Sequence, residues 1–449
     1  MTTLEFPPDI GGVGESVHRI AKMLIALGYE VHVAVFRAVF RNERALAAAG
    51  DYRLSSCQTT EIAGIMVHRL LPAVRSPQAK EQDYFCDLYA QLASLHRQHK
   101  FDLLHAFFIN EMGFLTTLLG QESGIPVINS VRGADLHKHI FSPQQFGPIT
   151  WTLANSAWTT FVSQDLMHRA RTLVPAIRHK SSAFWNSIDP NQLHYVTPEK
   201  TKEPFINPSS AESEEIIIGS VGSFRDKKGL EYLFEACQFL RKQLLRDQAF
   251  HSQSLNQNTL NKYTANKKFI SNLFDSTPEI TLLLIGDFAE KERDYWEQAL
   301  QESGFADRTV ITGRVSRQKA LSYLSYVDIF AIPSLHDGCP NAMIEAMLGA
   351  KAIVGSNVDA IGEILEDGIN GLVIPPADTG ALAEALRRLI SQPNFRQQLG
   401  IAARQTALNQ LAPAVEQQHW EKVYQQVFED SSVSSQKRPD SIRKAVFAG

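Results

Sequence analysis

Short runs of consecutive apolar residues alternate along this chain with stretches whose apolar positions recur every three or four residues. Runs such as VHVAVF (31–36) and IFAIPS (329–334) carry no polar alternation and read as strands buried on both faces, as in a parallel sheet. The stretch that follows the early glycines places Val17, Ile20, Ala21, Leu24 and Leu27 on one face, the signature of an amphipathic helix. In the first half the pattern predicts strands at 31–36, 64–70, 103–106, 127–131 and 158–163. In the second half it predicts strands at 215–221, 281–286, 310–312, 329–334 and 351–355, a further segment NGLVIPP at 370–376, and helices at 230–240 and 379–391.

Strand–helix alternation on this scale implies an α/β fold, and its repetition implies two Rossmann-like domains facing one another. The first is expected at 1–195, joined by a helix at about 412–430. The second is expected at 215–411. The polar, proline-punctuated segment TPEKTKEPFINPSSAESE makes 196–214 a linker. Residues 243–277, rich in Asn, Gln and Ser, read as a mobile surface insertion, and 431–449 as a disordered tail. Only Thr2 to Phe6 precede the first glycine loop as strand material, so the first strand is expected to be clipped, with apolar residues upstream in the natural reading frame.

Composition narrows the partners more than the fold. A net charge of −4 gives no overall case for nucleic acid. Four scattered cysteines without a Cys-x-x-Cys pair fit reduced thiols and a cytoplasmic location. No run of 18 apolar residues suggests a membrane span, which leaves peripheral membrane contact open. The fourteen histidines form no His-x-x-x-His or Cys/His motif, and no Asp-x-Asp follows a strand, so neither a metal nor a cofactor is expected.

The richest segment is PSLHDGCPNAMIEAMLG, beginning at Pro333. An acid, Asp337, follows the buried run. Gly338 permits a sharp bend, Pro340 after Cys339 suits the first turn of a helix, and a second acid, Glu345, stands on that helix. A helix start directs free N–H groups and a positive dipole end at whatever lies above the strand. Two acids beside such an end suit a ligand that is part polyol and part phosphate.

This segment resembles the acid-x7-acid signature of the retaining glycosyltransferases of group 1 (glycosyltransferase family four), Ser-x-x-Glu-Gly-x-Pro-x-x-x-x-Glu-Ala-Met-Ala-x-Gly, with Asp337 in place of the first Glu and Leu348 in place of the second Ala. Other motifs of that family follow in order. Gly11, Gly12 and Gly14 after Pro7 and Pro8 resemble its PPxxGGxG loop. RGAD (Arg132 to Asp135) resembles His-Gly-x-Asp, with Arg132 in place of His. His105 lies in a segment resembling Asp-x-x-His-Ala, and NSID (Asn186 to Asp189) resembles a structural Asn-Gly-x-Asp turn. GSFRDKKG (Gly222 to Gly229) resembles Gly-Arg-x-x-x-x-Lys-Gly; Lys228 matches, Ser223 replaces the arginine, and Arg225 stands two residues on.

The resemblance implies a GT-B fold, two Rossmann-like domains across a cleft, and transfer of a glycosyl group from a nucleoside-diphosphate sugar with retention of configuration. It implies that Glu345 holds the ribose, that Asp337 meets the transferring sugar, and that Lys228 and Arg225 stabilise the diphosphate. Gly12, Arg132, Asp135, His105, Gly338, Cys339 and Pro340 are expected around donor and sugar. The acceptor, whether sugar, lipid-linked sugar or small molecule, follows no code in the chain. The alternatives are a non-catalytic partner or scaffold of the same fold, motivated by Ser223, Arg132 and the clipped first strand, and an epimerase or phosphorylase.

Overall fold

The computed structural model describes residues 1–8, 11–37, 45–193, 215–255 and 278–436. The expected linker, residues 256–277 of the expected insertion and 437–449 of the expected tail lie outside them. The chain divides into two compact units, 1–186 with 414–449, and 187–413.

The first unit is built on eight strands: β1 (Thr2–Thr3), β2 (His32–Phe36), β3 (Ser56–Ile62), β4 (Ile65–Leu71), β5 (Leu104–Phe107), β6 (Val127–Val131), β7 (Trp158–Phe161) and β8 (Ser181–Ala183). They lie in the order β3-β4-β2-β1-β5-β6-β7-β8. All neighbours are parallel except β3 and β4. β1 is only two residues long yet sits mid-sheet, Thr2 pairing with Ala34 on one side and Ala106 on the other. The helix Gly12–Ala26 buries Val17, Ile20, Ala21 and Leu24, as its pattern required. The helix Pro413–Gln436 places Trp420, Val423, Tyr424 and Val427 in the same core. Glu416 near its start accepts from the Arg19 guanidinium at 2.8 and 3.2 Å, which fixes that helix against Gly12–Ala26.

Two strands here were not anticipated. β3 is solvent-exposed along nearly its whole length and rich in Thr, so it has no apolar face to betray it. It joins β4 through Ala63 and Gly64, both at positive φ, the two-residue hairpin turn whose twist suits antiparallel strands. Gly64, expected to open a strand, therefore belongs to the turn. β8 is three residues long, too short for any periodicity.

The second unit carries six parallel strands: β9 (Glu215–Phe224), β10 (Glu279–Phe288), β11 (Thr309–Ile311), β12 (Ile329–Ile332), β13 (Ala352–Ser356) and β14 (Leu372–Ile374). Their order is β11-β10-β9-β12-β13-β14. β9 and β10 run longer than their apolar cores, because pairing continues in register through Gly222–Gly286 to Phe224–Phe288. The helix Leu230–Leu255 continues thirteen residues into the segment expected as an insertion, and Pro413–Gln436 reaches six residues into the expected tail. The core packs strand residues such as Ile218, Leu282 and Val354 against Leu233, Phe234, Leu386 and Leu389 of the covering helices.

Candidate active site

In the second unit the chemistry-bearing residues gather where the strands end. β9 leaves the sheet at Phe224, and the turn Asp226–Lys228 returns it to the helix Leu230–Leu255. This turn is held closed by Lys228 N donating to the Arg225 carbonyl at 2.9 Å. It is held against β12 by Leu335 N donating to the Lys227 carbonyl at 2.8 Å. Gly229 lies at φ +65°, and a Cβ there would stand 2.1 Å from the Pro333 carbonyl oxygen, so only glycine permits the approach. Gly222 and Gly286 form a second close approach, a Cβ on Gly286 falling 1.9 Å from the Gly222 carbonyl oxygen.

The outcome is a charge cluster. Lys228 Nζ donates to Asp337 Oδ2, and Lys227 Nζ lies 3.6 Å from Asp337 Oδ1. The Asp337 side chain is 13 % exposed. Burial pushes its carboxyl up, but Lys228 and Lys227 beside it outweigh that push, so its pKa lies below the ordinary carboxylate value. Asp337 therefore remains an acceptor at neutral pH. Its own N–H donates to Asp359 Oδ2 at 2.8 Å, and the Gly338 carbonyl accepts from Ala360 N at 3.2 Å. The loop between β12 and the helix Asn341–Leu348 is thus tied to the start of the helix Asp359–Ile364.

Pro340 caps Asn341–Leu348 rather than occupying its first turn. Gly338 and Pro340 are buried, and Cys339 is half-buried. Glu345, 11 % exposed in its side chain, accepts from Arg317 Nε at 2.8 Å. Arg225 is exposed at the start of the turn. Asp337, Lys228, Gly338, Cys339 and Pro340 are thus brought together, while Glu345 sits on the helix that follows. Lys227, Asp359 and Arg317 complete the arrangement, and the last two were not anticipated. Lys227 lies within the quoted motif GSFRDKKG, but nothing in the sequence marked the other two.

In the first unit Asp135 is fully buried and accepts from Ile109 N at 3.0 Å and Arg132 N at 3.2 Å. Burial pushes its pKa up against those two bonds. It braces the loops that follow β5 and β6. Arg132 reaches Asn186 Oδ1 at 2.9 Å. His105 is 1 % exposed, 2.9 Å from Tyr424 Oη and 2.8 Å from Ser130 Oγ, and stacks on Phe107. Burial holds it well below its ordinary pKa, so the ring is neutral. Gly12, first residue of its helix, is exposed, and a Cβ there would meet nothing. A Cβ on Gly11 would stand 1.8 Å from the Glu5 carboxylate, the movable end of a side chain.

Two family models match the chain in order. "Glycosyl transferase 4-like domain" matches residues 11–179 and "Glycosyl transferases group 1" residues 263–392, together more than half of the chain. The chain belongs to the group 1 glycosyltransferases. Alpha-D-kanosaminyltransferase from Streptomyces kanamyceticus is 29 % identical over 103 residues, 23 % of this chain and 27 % of that protein. This chain thus spans about a quarter of that relative's length. Among solved structures, sucrose-phosphate synthase from Thermosynechococcus elongatus matches with a TM-score of 0.71 at 17 % identity, over 96 % of this chain and 99 % of that one. Anabaena HepE, solved with UDP and glucose, matches with a TM-score of 0.65 at 16 % identity, over 94 % and 98 %. The fold of this group 1 family member is GT-B, as its motifs implied.

Proposed function

We propose that this protein is a retaining glycosyltransferase that moves a glycosyl group from a nucleoside-diphosphate sugar to an acceptor without a metal ion. The observation that carries this reading is the pairing of Lys228 and Lys227 with Asp337 at the ends of β9 and β12, next to the start of Asn341–Leu348. A departing diphosphate needs fixed positive groups, and a transferring sugar needs acceptors for its hydroxyls. Both are supplied here within one cluster. HepE, which shares the fold, was solved with UDP and glucose, and this supports a donor of that class.

In this reading donor binding divides the cation–carboxylate cluster. Lys228, with Arg225 beside the turn, takes the diphosphate, and Asp337 takes sugar hydroxyls. Glu345, released from Arg317, holds the ribose. Each exchange replaces one charge-assisted contact by another, so no buried charge is left alone. Asp337 is one methylene shorter than the family's Glu, which sets it further from the sugar and bears on which sugar is accepted. The leaving phosphate takes the acceptor's proton, and no side chain acts as nucleophile.

The test is turnover with UDP-, GDP- and ADP-sugars, read as donor hydrolysis in the absence of acceptor and by the anomeric configuration of any product. One donor turned over with retention supports the reading. Inversion would remove the retaining assignment. Binding without turnover of any donor would favour the scaffold alternative.

A further inference from the structure

The first sheet brings together three histidines that no sequence motif connects. His32 opens β2, His68 lies on the neighbouring strand β4, and His99 ends the helix Glu81–His99. The register pairs His68 with Ala34, two residues along from His32, so both rings rise from the same face. His32 Nδ1 lies 2.9 Å from His68 Nε2. The His99 ring centroid is 4.4 Å from that of His32 and 5.5 Å from that of His68. One ring nitrogen from each of the three lies within 4.8 Å of the others.

The outward nitrogens of two of the rings are already engaged. His32 Nε2 meets the Glu30 carboxylate at 3.0 Å, and His68 Nδ1 meets Thr59 Oγ1 at 2.9 Å. His32 and His68 thus each turn one nitrogen toward the cluster and are oriented through the other, the arrangement in which histidine ligands are held at metal centres. The rings are also suited chemically. A neutral imidazole offers a nitrogen lone pair to a metal ion. Tetrahedral zinc with Zn–N bonds of about 2.0–2.1 Å places its ligand nitrogens about 3.3 Å apart, against 2.9 Å between His32 Nδ1 and His68 Nε2 and at most 4.8 Å among the three. His32 and His99 line a cavity of about 180 Å³, which has room for a water as fourth ligand.

We propose that His32, His68 and His99 form a binding site for one zinc ion. Imidazole nitrogen is a good ligand for zinc, and three such donors with an open fourth position match its usual coordination. The ion would join β2, β4 and the end of Glu81–His99, three elements distant in sequence. His32 stands at the amino-terminal end of β2, whereas the Arg132–Asp135 segment follows the carboxyl end of β6, so the ion's role is structural rather than catalytic.

The experiment is a calorimetric titration of the purified, chelator-stripped full-length chain with zinc chloride, paired with thermal melts. The expected result is saturation at one zinc per chain, with a rise in melting temperature that EDTA reverses. His99→Asn alters the half-buried ligand and is the variant least disturbing to the core. It should lose at least tenfold in zinc affinity and abolish the thermal shift while melting cooperatively. Glu30→Gln, which touches only His32 from outside, should weaken binding about tenfold to a hundredfold. If the wild-type chain shows no saturable zinc binding, or if one zinc binds with unchanged affinity to His99→Asn and to His68→Gln, the site is not the one proposed.

Discussion

Asp337 is the residue whose surroundings say most about how the site works. It was legible in the sequence because it stands at a fixed spacing from Glu345 after a buried strand. Its partnership with Lys228, 109 residues earlier, came only with the fold. Lys228→Ala should weaken nucleoside-diphosphate binding by about 1.5–3 kcal/mol, roughly a tenfold to hundredfold change, as expected for a hydrogen bond to a charged group. Glu345→Ala should weaken donor binding by a similar amount, about 1.5–3 kcal/mol. Unchanged donor affinity in that variant would remove Glu345 from the ribose. A pH dependence follows from Asp337 as well. Its folded pKa lies below the ordinary 3.8, so as pH falls the unfolded chain takes up the proton first. The stabilisation is complete above pH 3.8 and is lost as pH falls through the lower, folded value. Urea denaturation of wild type and Asp337→Asn should therefore show a stability difference that is constant near neutrality and shrinks below pH 3.8. A difference that stayed constant to lower pH would mean that the lysines do not hold the carboxylate ionised.

Elements buried on both faces were readable, and elements without an apolar face were not. β6 and the helix Thr379–Ser391 lie where the hydrophobic pattern put them, because their side chains are sorted by burial. β3 escaped because its burial pattern is almost wholly exposed; pairing with β4 alone makes it a strand. The helix Leu230–Leu255 outran its expected end because helical polar residues carry no signal of where a helix stops. Helix ends carry a second lesson. Asn341–Leu348 closes with Ala350 N donating to Met347 O at 2.9 Å and Lys351 N to Ala346 O at 3.0 Å, a Schellman end. The left-handed position of that motif, normally glycine, is Ala350 at φ +54°. Ala350→Gly should relieve this conformation and stabilise the protein by roughly 0.5–1 kcal/mol, measured by chemical denaturation. A loss of stability would show that the unfolded-state entropy of glycine outweighs the relief.

On the scale of the whole chain, strand–helix alternation and the order of the motifs made the fold and the family legible. The acceptor was not, because the loops that select it follow no periodicity. The return of the last helix to the first unit was expected from the family resemblance, and the packing explains its weight. Trp420 is 1 % exposed and meets Phe184 edge to face and His105 at 5.1 Å. Trp420→Ala should cost about 3–5 kcal/mol, the usual loss for truncating a buried aromatic. A much smaller loss in thermal or urea unfolding would mean that the helix contributes little to that core. The central claim, that the cluster at the ends of β9 and β12 grips a nucleoside diphosphate, is tested most directly by calorimetric titration of UDP, GDP and ADP into wild type and Lys228→Ala. The account predicts that one nucleotide binds wild type at one per chain and at least tenfold more weakly to the variant. Equal affinity for both proteins, or no binding of any of the three, would contradict it.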